Sequence, residues 1–98
     1  MSREPVCRQT ITVNSENGLH LIPGSRIAEL ARRYECELTI RKGDITADAK
    51  SVFDIMSLEA EFGTQLELEA TGETAAEAIG ALVRLFESDF QPDDASAS

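Results

Sequence analysis

The sequence predicts an α+β fold, an open two-layer sandwich in which helices cover one face of a sheet. Segments that alternate apolar and polar residues take turns with segments whose apolar residues recur every three or four positions, in the order βαββαβα. The strands contain no long apolar run, which is typical of a sheet with one face in water. Ninety-eight residues with 42% hydrophobic side chains suffice for one small core. This order does not by itself set how the strands pair.

Four segments have the composition of strands. Residues 6–13 are rich in β-branched side chains and predict the first strand. Leu38 and Ile40 alternate with polar neighbours, and after the turn at 42–44 a return strand over 45–49 completes a hairpin. Gly63 then interrupts the chain before a fourth strand, in which the alternating apolar residues are Leu66, Leu68 and Ala70.

Three segments have the periodicity of helices. In the first, Pro23 is tolerated in the opening turn, and in the second, over 51–58, Ser51 is the expected N-cap. The third begins after 71–74, where Thr74 and Glu77 have the spacing of a capping box. The apolar stripe of the first helix is Ile27, Leu30, Ala31 and Tyr34, and that of the third is Ala75, Ile79, Leu82, Val83 and Phe86.

Charge is distributed unevenly along the chain. Residues 1–58 carry eight acidic and eight basic side chains, whereas residues 59–98 carry ten acidic side chains and only Arg84. An acidic half argues against binding to nucleic acid or to an anionic membrane, both of which need clustered Lys and Arg. The sequence predicts a single domain over residues 1–90 and a disordered acidic tail over 91–98.

The two cysteines, Cys7 and Cys36, lie far apart and form no metal-binding motif with the single histidine. We expect both at strand ends as free thiols, although their spacing does not exclude a disulfide, and we expect neither a metal nor a cofactor. No apolar run approaches the roughly 20 residues that span a bilayer. The first residues lack the apolar segment of a signal peptide, so the sequence predicts a cytoplasmic protein.

His20 is the only histidine, and it lies between Gly18 and Pro23 where the first helix is expected to begin. The start of a helix presents unpaired N–H groups and partial positive charge, which favour phosphate and other anions. An imidazole there could accept a phosphoryl group, or it could simply cap a helix at the surface.

Two motifs resemble those of the histidine-containing phosphocarrier (HPr) family of the bacterial phosphotransferase system. One is Gly18-Leu19-His20 followed by Pro23, and the other is the segment 49–53 around Ser51 with Met56-Ser57-Leu58. The resemblance covers about residues 6–88. It implies an antiparallel sheet of order 1-4-2-3 with three helices on one face. It also implies that His20 is the phosphoacceptor and that the amides of Leu21 and Ile22 hold the phosphate.

By the same resemblance, the phosphoryl group comes from the system's first enzyme, which uses phosphoenolpyruvate, and goes to a sugar-specific acceptor protein. The chain would be a phosphocarrier rather than a true enzyme. Partners would dock on an exposed apolar surface around His20, composed of Leu21, Ile22, Val52, Phe53 and Met56. The alternative for Phe53 and Met56 is that they are core residues of the second helix. Nothing indicates an oligomer, and a monomer is the default expectation.

Two positions depart from the family pattern. Ile22 replaces an arginine that would donate hydrogen bonds to the phosphate, and Glu59 replaces a typical glycine. Arg26, one turn after Ile22, could compensate or could be an ordinary surface residue. Loss of the charged contact leaves fast phosphate transfer in question.

Ser51 has two interpretations. It is a suitable helix N-cap, and the resemblance also implies a serine phosphorylated by a dedicated kinase. The alternative function is therefore a regulatory protein acting through Ser51 and partner binding, with weak or no transfer at His20. A third possibility is an interaction domain in which both sites are silent.

Overall fold

A computed structural model describes residues 5–90, and its elements follow the predicted order. Residues 1–4 and the tail predicted over 91–98 lie outside the described residues. None of the helices in the described part has the length and apolarity that crossing a membrane requires. The strands are β1 (Val6–Thr12), β2 (Glu37–Lys42), β3 (Ile45–Asp48) and β4 (Gln65–Thr71), and the helices are α1 (Leu21–Ala31), α2 (Val52–Ser57) and α3 (Ala75–Glu87).

The four strands form one antiparallel sheet of order β1-β4-β2-β3. This confirms the order that the family resemblance implies. Strand β4 is central: its Leu68 lies opposite Gln9 of β1 on one side and Ile40 of β2 on the other. Strand β4, the last in the sequence, therefore joins β1 to the β2–β3 hairpin.

The sheet has one buried and one wet face, as the alternating pattern predicts. Leu66, Leu68 and Ala70 of β4 are buried under the helices. The residues between them point to the open face, where Glu69 pairs with Arg8 (Nε to Oε2, 2.7 Å) and Glu67 pairs with Arg41. Neighbouring strands thus neutralise part of the acidic charge of β4.

The helices close the other face and meet at a glycine. Helix α1 contacts α2 at Gly24, where an added Cβ would lie 3.6 Å from Cγ2 of Ile55 and 3.8 Å from Cγ of Met56. This close approach places α2 against the first half of α1. The buried residues of α1 and α2 include Ile27, Ala28, Ala31 and Ile55, and those of α3 include Ala75, Ala78, Ile79, Leu82 and Phe86.

The two predicted helix caps have different outcomes. Ser51 has extended backbone angles (φ −117°, ψ 115°), and its Oγ accepts a hydrogen bond from the Asp54 N–H at 3.3 Å, which confirms the N-cap. The capping box at Thr74 is wrong. Thr74 has φ −96° and ψ 14°, which is not the extended backbone of an N-cap, and its side chain makes no cap hydrogen bond. Its Oγ1 is buried without a hydrogen-bond partner among residues 5–90.

Candidate functional site

The segment before His20 is held in one position by the loop around Ala60. Gly18 has φ +75°, and a Cβ added there would lie 2.4 Å from the carbonyl oxygen of Ala60. Only glycine fits this approach. The next residue, Leu19, is buried and donates its N–H to that same Ala60 oxygen at 2.8 Å. The backbone that leads into His20 is therefore held in place by its contacts with Ala60.

His20 lies where α1 begins, as the sequence predicts, and is the N-cap residue of that helix. Its backbone is extended (φ −94°, ψ −162°), and its carbonyl accepts the Gly24 N–H at 2.9 Å, which closes the first helical turn. The side chain is exposed and makes no cap hydrogen bond. The imidazole has no hydrogen-bond or ion-pair partner within the described range 5–90, so both ring nitrogens are available.

Two backbone amides remain at the start of α1. Leu21 and Ile22 are its first two residues, and a helix offers no carbonyl to amides in its first turn. Pro23 follows and has no N–H, while the Gly24 N–H is already bonded to His20. No acidic residue lies in this first turn to compete for the helix end. The amides that could bind an anion beside His20 are the two that the sequence singled out.

Ile22 supplies no charge to this site. Its side chain is exposed, and Arg26 is the single basic residue within α1, four positions later. Residues four apart share a helix face, and side chains lean toward the helix start. Arg26 is half-buried and has no side-chain hydrogen bond or ion pair in the part of the chain that the structure describes.

An exposed apolar surface adjoins His20, and we call its four residues the α1–α2 surface: Leu21, Ile22, Phe53 and Met56. Phe53 is 85% exposed, because α2 directs Ile55 into the core and so turns Phe53 outward. Val52, which the sequence placed in this surface, is half-buried and packs toward Gly24 instead.

The sequence reasoning missed Phe62, which is 67% exposed. It lies in the turn after Ala60, the residue against which Gly18 packs. An apolar residue between Glu61 and Gly63, outside any periodic pattern, was the available signal.

The start of α2 is acidic on both sides of Ser51. The Oδ2 atom of Asp54 accepts the Asp48 N–H at 3.2 Å, and the Oδ1 atom of Asp48 accepts the Lys50 N–H at 2.9 Å. The sequence signal for this arrangement, which was not used in the prediction, is an aspartate three residues before the serine and another three residues after it.

The end of α2 shows the structural effect of Glu59, which stands where the family resemblance implies a glycine. Glu59 has φ +52°, a left-handed conformation in which glycine is unstrained. Lys42 supports this turn from β2, donating its Nζ to the carbonyls of Leu58 (2.9 Å) and Glu59 (3.2 Å). A lysine predicted as part of a hairpin turn therefore also caps α2.

The thiols and carboxylates of residues 5–90 form neither a disulfide nor a candidate metal site. Cys7 lies in β1 and Cys36 directly before β2, and both are free thiols. Within residues 5–90 no three His, Cys, Asp or Glu residues are arranged to hold a metal ion.

Comparison with known proteins agrees with this geometry. The family profile described as PTS HPr component phosphorylation site matches residues 7–88. The phosphocarrier protein NPr of Escherichia coli K12 is 34% identical over 87 residues, covering 88% of this chain and 97% of that protein. The phosphocarrier protein HPr of Pseudomonas aeruginosa is 36% identical over 81 residues, covering 82% and 90%.

A solved structure supports the same relationship. The crystal structure of HPr-C-His from Thermoanaerobacter tengcongensis superimposes with a TM-score of 0.84 at 33% identity, covering 89% of this chain and 98% of that one. The chain belongs to the HPr family and is a phosphocarrier protein of the phosphotransferase system.

Proposed function

We propose that His20 is the residue that carries the phosphoryl group, and that Leu21 and Ile22 hold it through their backbone amides. The observation that supports this is the exposed, unpaired imidazole at the N-cap of α1, beside two amides without a partner. No other described residue combines a nucleophilic ring with a helix start in this way.

In the proposed transfer, this chain supplies the nucleophile and the partner enzyme supplies the phosphoryl group. A neutral imidazole nitrogen attacks the phosphorus of the phosphorylated first enzyme, which takes its phosphoryl group from phosphoenolpyruvate. A nitrogen–phosphorus bond forms on His20, and the bond between phosphorus and the donor enzyme breaks, with its electron pair left on the donor. Passing the group to an acceptor protein reverses these roles, so the chain is regenerated as a carrier in each cycle.

The helix start stabilises the negative oxygens of the bound group. Two N–H donors and the partial positive charge of α1 act on it without a charged side chain at position 22. We propose that the carrier is slower than a relative with arginine there, because isoleucine donates no hydrogen bond.

The α1–α2 surface is the proposed docking region for partners. Its exposed apolar side chains lie on α1, which begins directly after His20, and on α2, which packs against α1 at Gly24. An exposed apolar patch of this kind is typical of interaction sites. The partners that we propose are the first enzyme and the sugar-specific acceptor proteins. We also propose that the chain acts as a monomer in the cytoplasm.

The absence of a charged side chain at position 22 supports a second candidate function. In it, transfer at His20 is weak, and the protein acts as a regulator through phosphorylation of Ser51 by a serine kinase. The two functions differ in which substitution removes the phosphate, since His20→Ala affects one and Ser51→Ala the other.

The test is incubation with phosphoenolpyruvate and the cognate first enzyme, followed by intact mass measurement. The proposal predicts one acid-labile phosphate on the wild-type chain and on Ser51→Ala, and none on His20→Ala. An adduct that survives acid, or one that persists in His20→Ala, would contradict it. Circular dichroism of each variant checks that the fold is kept.

A further inference from the structure

We propose that Phe62 and the carboxylates around it form a second docking element beside His20. The first enzyme binds this element with an apolar recess bordered by Lys and Arg side chains. The proposal rests on the proposed function, because it concerns the partner that delivers the phosphoryl group. It adds to the α1–α2 surface a contact that lies outside both helices, and it specifies the charge of the partner surface.

Phe62 is presented to solvent by a tight turn over residues 61–64, which we call the Phe62 turn. The Thr64 N–H donates to the Glu61 carbonyl at 3.0 Å, and the Thr64 Oγ1 accepts the Glu61 N–H at 3.0 Å. Gly63 has φ +88°, the conformation that a type II turn places at its third residue. Two hydrogen bonds therefore close a turn in which Phe62 is 67% exposed.

Backbone hydrogen bonds join the Phe62 turn to the loop that leads to His20. Val13, at the start of that loop, exchanges two of them with residues 63–64, each 2.8 Å long. Leu19, at the end of the loop, donates to the Ala60 carbonyl, also at 2.8 Å. The position of the turn relative to the imidazole is therefore set by the backbone.

The Phe62 ring contributes little to the core of residues 5–90. It belongs neither to the buried cluster nor to the partly buried side chains packed against that cluster, and the aromatic pair of the core is formed by Phe86 and Phe90. Aromatic residues are enriched at the centres of protein interfaces, and a fixed backbone reduces the entropy lost on binding. An exposed ring in this setting is suited to an apolar recess of a partner.

Acidic side chains surround the turn. Glu59 and Glu61 precede the ring, and Glu16 lies in the loop to which the turn is bonded. All three are exposed, and none forms an ion pair within the described residues. Lys42 brings one positive charge to this segment, since its Nζ donates to the Glu59 carbonyl at 3.2 Å. Three carboxylates and one ammonium group leave this surface negative.

The partner that covers this surface must complement its charge. Lys and Arg side chains around a recess do so, whereas an acidic partner surface would be repelled and would associate slowly. The first enzyme must approach His20 to deliver its phosphoryl group, and the Phe62 turn is bonded to the loop that leads to His20. The first enzyme therefore covers the turn with a basic surface that accepts the Phe62 ring.

The experiment is isothermal titration calorimetry of the full chain with the cognate first enzyme, without phosphoenolpyruvate, so that no phosphate is transferred. Phe62→Ala should weaken binding by about 10- to 100-fold, because it removes a ring that the complex buries. Glu61→Lys should weaken binding by about 10-fold at low salt. Raising the salt to about 0.5 M should remove most of the loss caused by Glu61→Lys, because salt screens exposed charges.

Val6→Ala and Glu37→Lys are the matched controls for these two variants. Val6 is 48% exposed and Glu37 is also exposed, and both lie opposite Thr71 of β4. Thr71 is at one end of this strand, whereas the Phe62 turn is at the other, roughly 20 Å away. Each control should change the dissociation constant by less than about twofold, because the substituted groups lie beyond the screening length from the turn.

Equal effects of Phe62→Ala and Val6→Ala would overturn the inference, as would equal effects of Glu61→Lys and Glu37→Lys. Tighter binding by Glu61→Lys would also overturn it, because it would indicate an acidic partner surface. Circular dichroism checks that each variant keeps its fold. The titration needs no transfer, so failure of this inference is distinguishable from failure of His20 to accept phosphate, which the labelling experiment measures.

Discussion

At the residue scale, the site depends on what surrounds one imidazole. The imidazole of His20 is exposed and has no partner among residues 5–90, and the donors beside it are the backbone amides of Leu21 and Ile22. Ile22 presents an apolar side chain to solvent at the position where the family resemblance implies an arginine that contacts the phosphate. In the proposed phosphate site, the backbone donors are therefore present and the charged side chain is absent.

The isoleucine leads to the first prediction. Ile22→Arg should accelerate labelling of His20 by about 30- to 1,000-fold, because a guanidinium adds charge-assisted donors at the phosphate. The measurement is the rate of acid-labile phosphate incorporation with the cognate first enzyme.

Leu21→Arg is the control for this prediction, since it adds the same charge one residue away. If both variants accelerate labelling equally, the gain comes from attraction of the enzyme and not from a contact with the phosphate. If Ile22→Arg has no effect while Arg26→Gln slows labelling, then Arg26 already supplies the contact.

Glu59 leads to the second prediction. Glu59→Gly should raise the free energy of unfolding by about 1 kcal/mol, because glycine is unstrained at φ +52°. Glu61→Gly is the matched control: this residue is also exposed but has no positive φ, so the change should destabilise slightly or do nothing. Urea unfolding measures both, and an equal gain in the two variants would show that loss of acidic charge is the cause.

At the element scale, the start of α1 is positioned by a loop distant in sequence. The contact of Gly18 with Ala60, together with the Leu19 hydrogen bond, joins the segment before α1 to the segment after α2. Gly24 of α1 also packs against Ile55 of α2, and this contact holds the two helices together at a second point. The geometry of the His20 site is thus a property of α1 and α2 together.

The third prediction tests this support. Gly18→Ala should lower the free energy of unfolding by about 3 kcal/mol and slow the labelling of His20, because the new methyl group would meet the Ala60 carbonyl.

Gly43→Ala is the control for Gly18→Ala. Gly43 also has a positive φ, but no atom lies within 4 Å of an added Cβ, so it should cost only about 1 kcal/mol and leave labelling unchanged. Equal losses of stability in the two variants would show that the Ala60 contact is unimportant.

The two caps show what sequence can and cannot provide for an element. Ser51 and Thr74 both precede a helix and both have an acidic residue three positions later. Only Ser51 has the extended backbone that directs its oxygen to the helix amides. Residue spacing does not encode that backbone angle, which is why the N-cap predicted at Ser51 was correct and the capping box predicted at Thr74 was wrong.

At the scale of the whole molecule, the residues alone predicted the element order and the wet face of the sheet. Alternation in β4 separates Leu66 and Leu68 from Glu67 and Glu69, and the structure keeps this division. The pairing of β4 between β1 and β2 came from the family resemblance, because strand order depends on contacts between distant segments. The exposure of Phe62 and the cap that Lys42 provides for α2 both depend on loop geometry. The sequence therefore did not predict either of them.

Amide NMR spectra recorded before and after phosphorylation by the first enzyme would show directly whether His20 and the start of α1 form the phosphate site. We expect a phosphorus–nitrogen bond on the His20 ring and the largest amide shifts at Leu21 and Ile22, because these N–H groups would bind the new oxygens. A phosphoryl group on another residue would contradict this assignment. So would phosphorylated His20 with both of these amides unchanged.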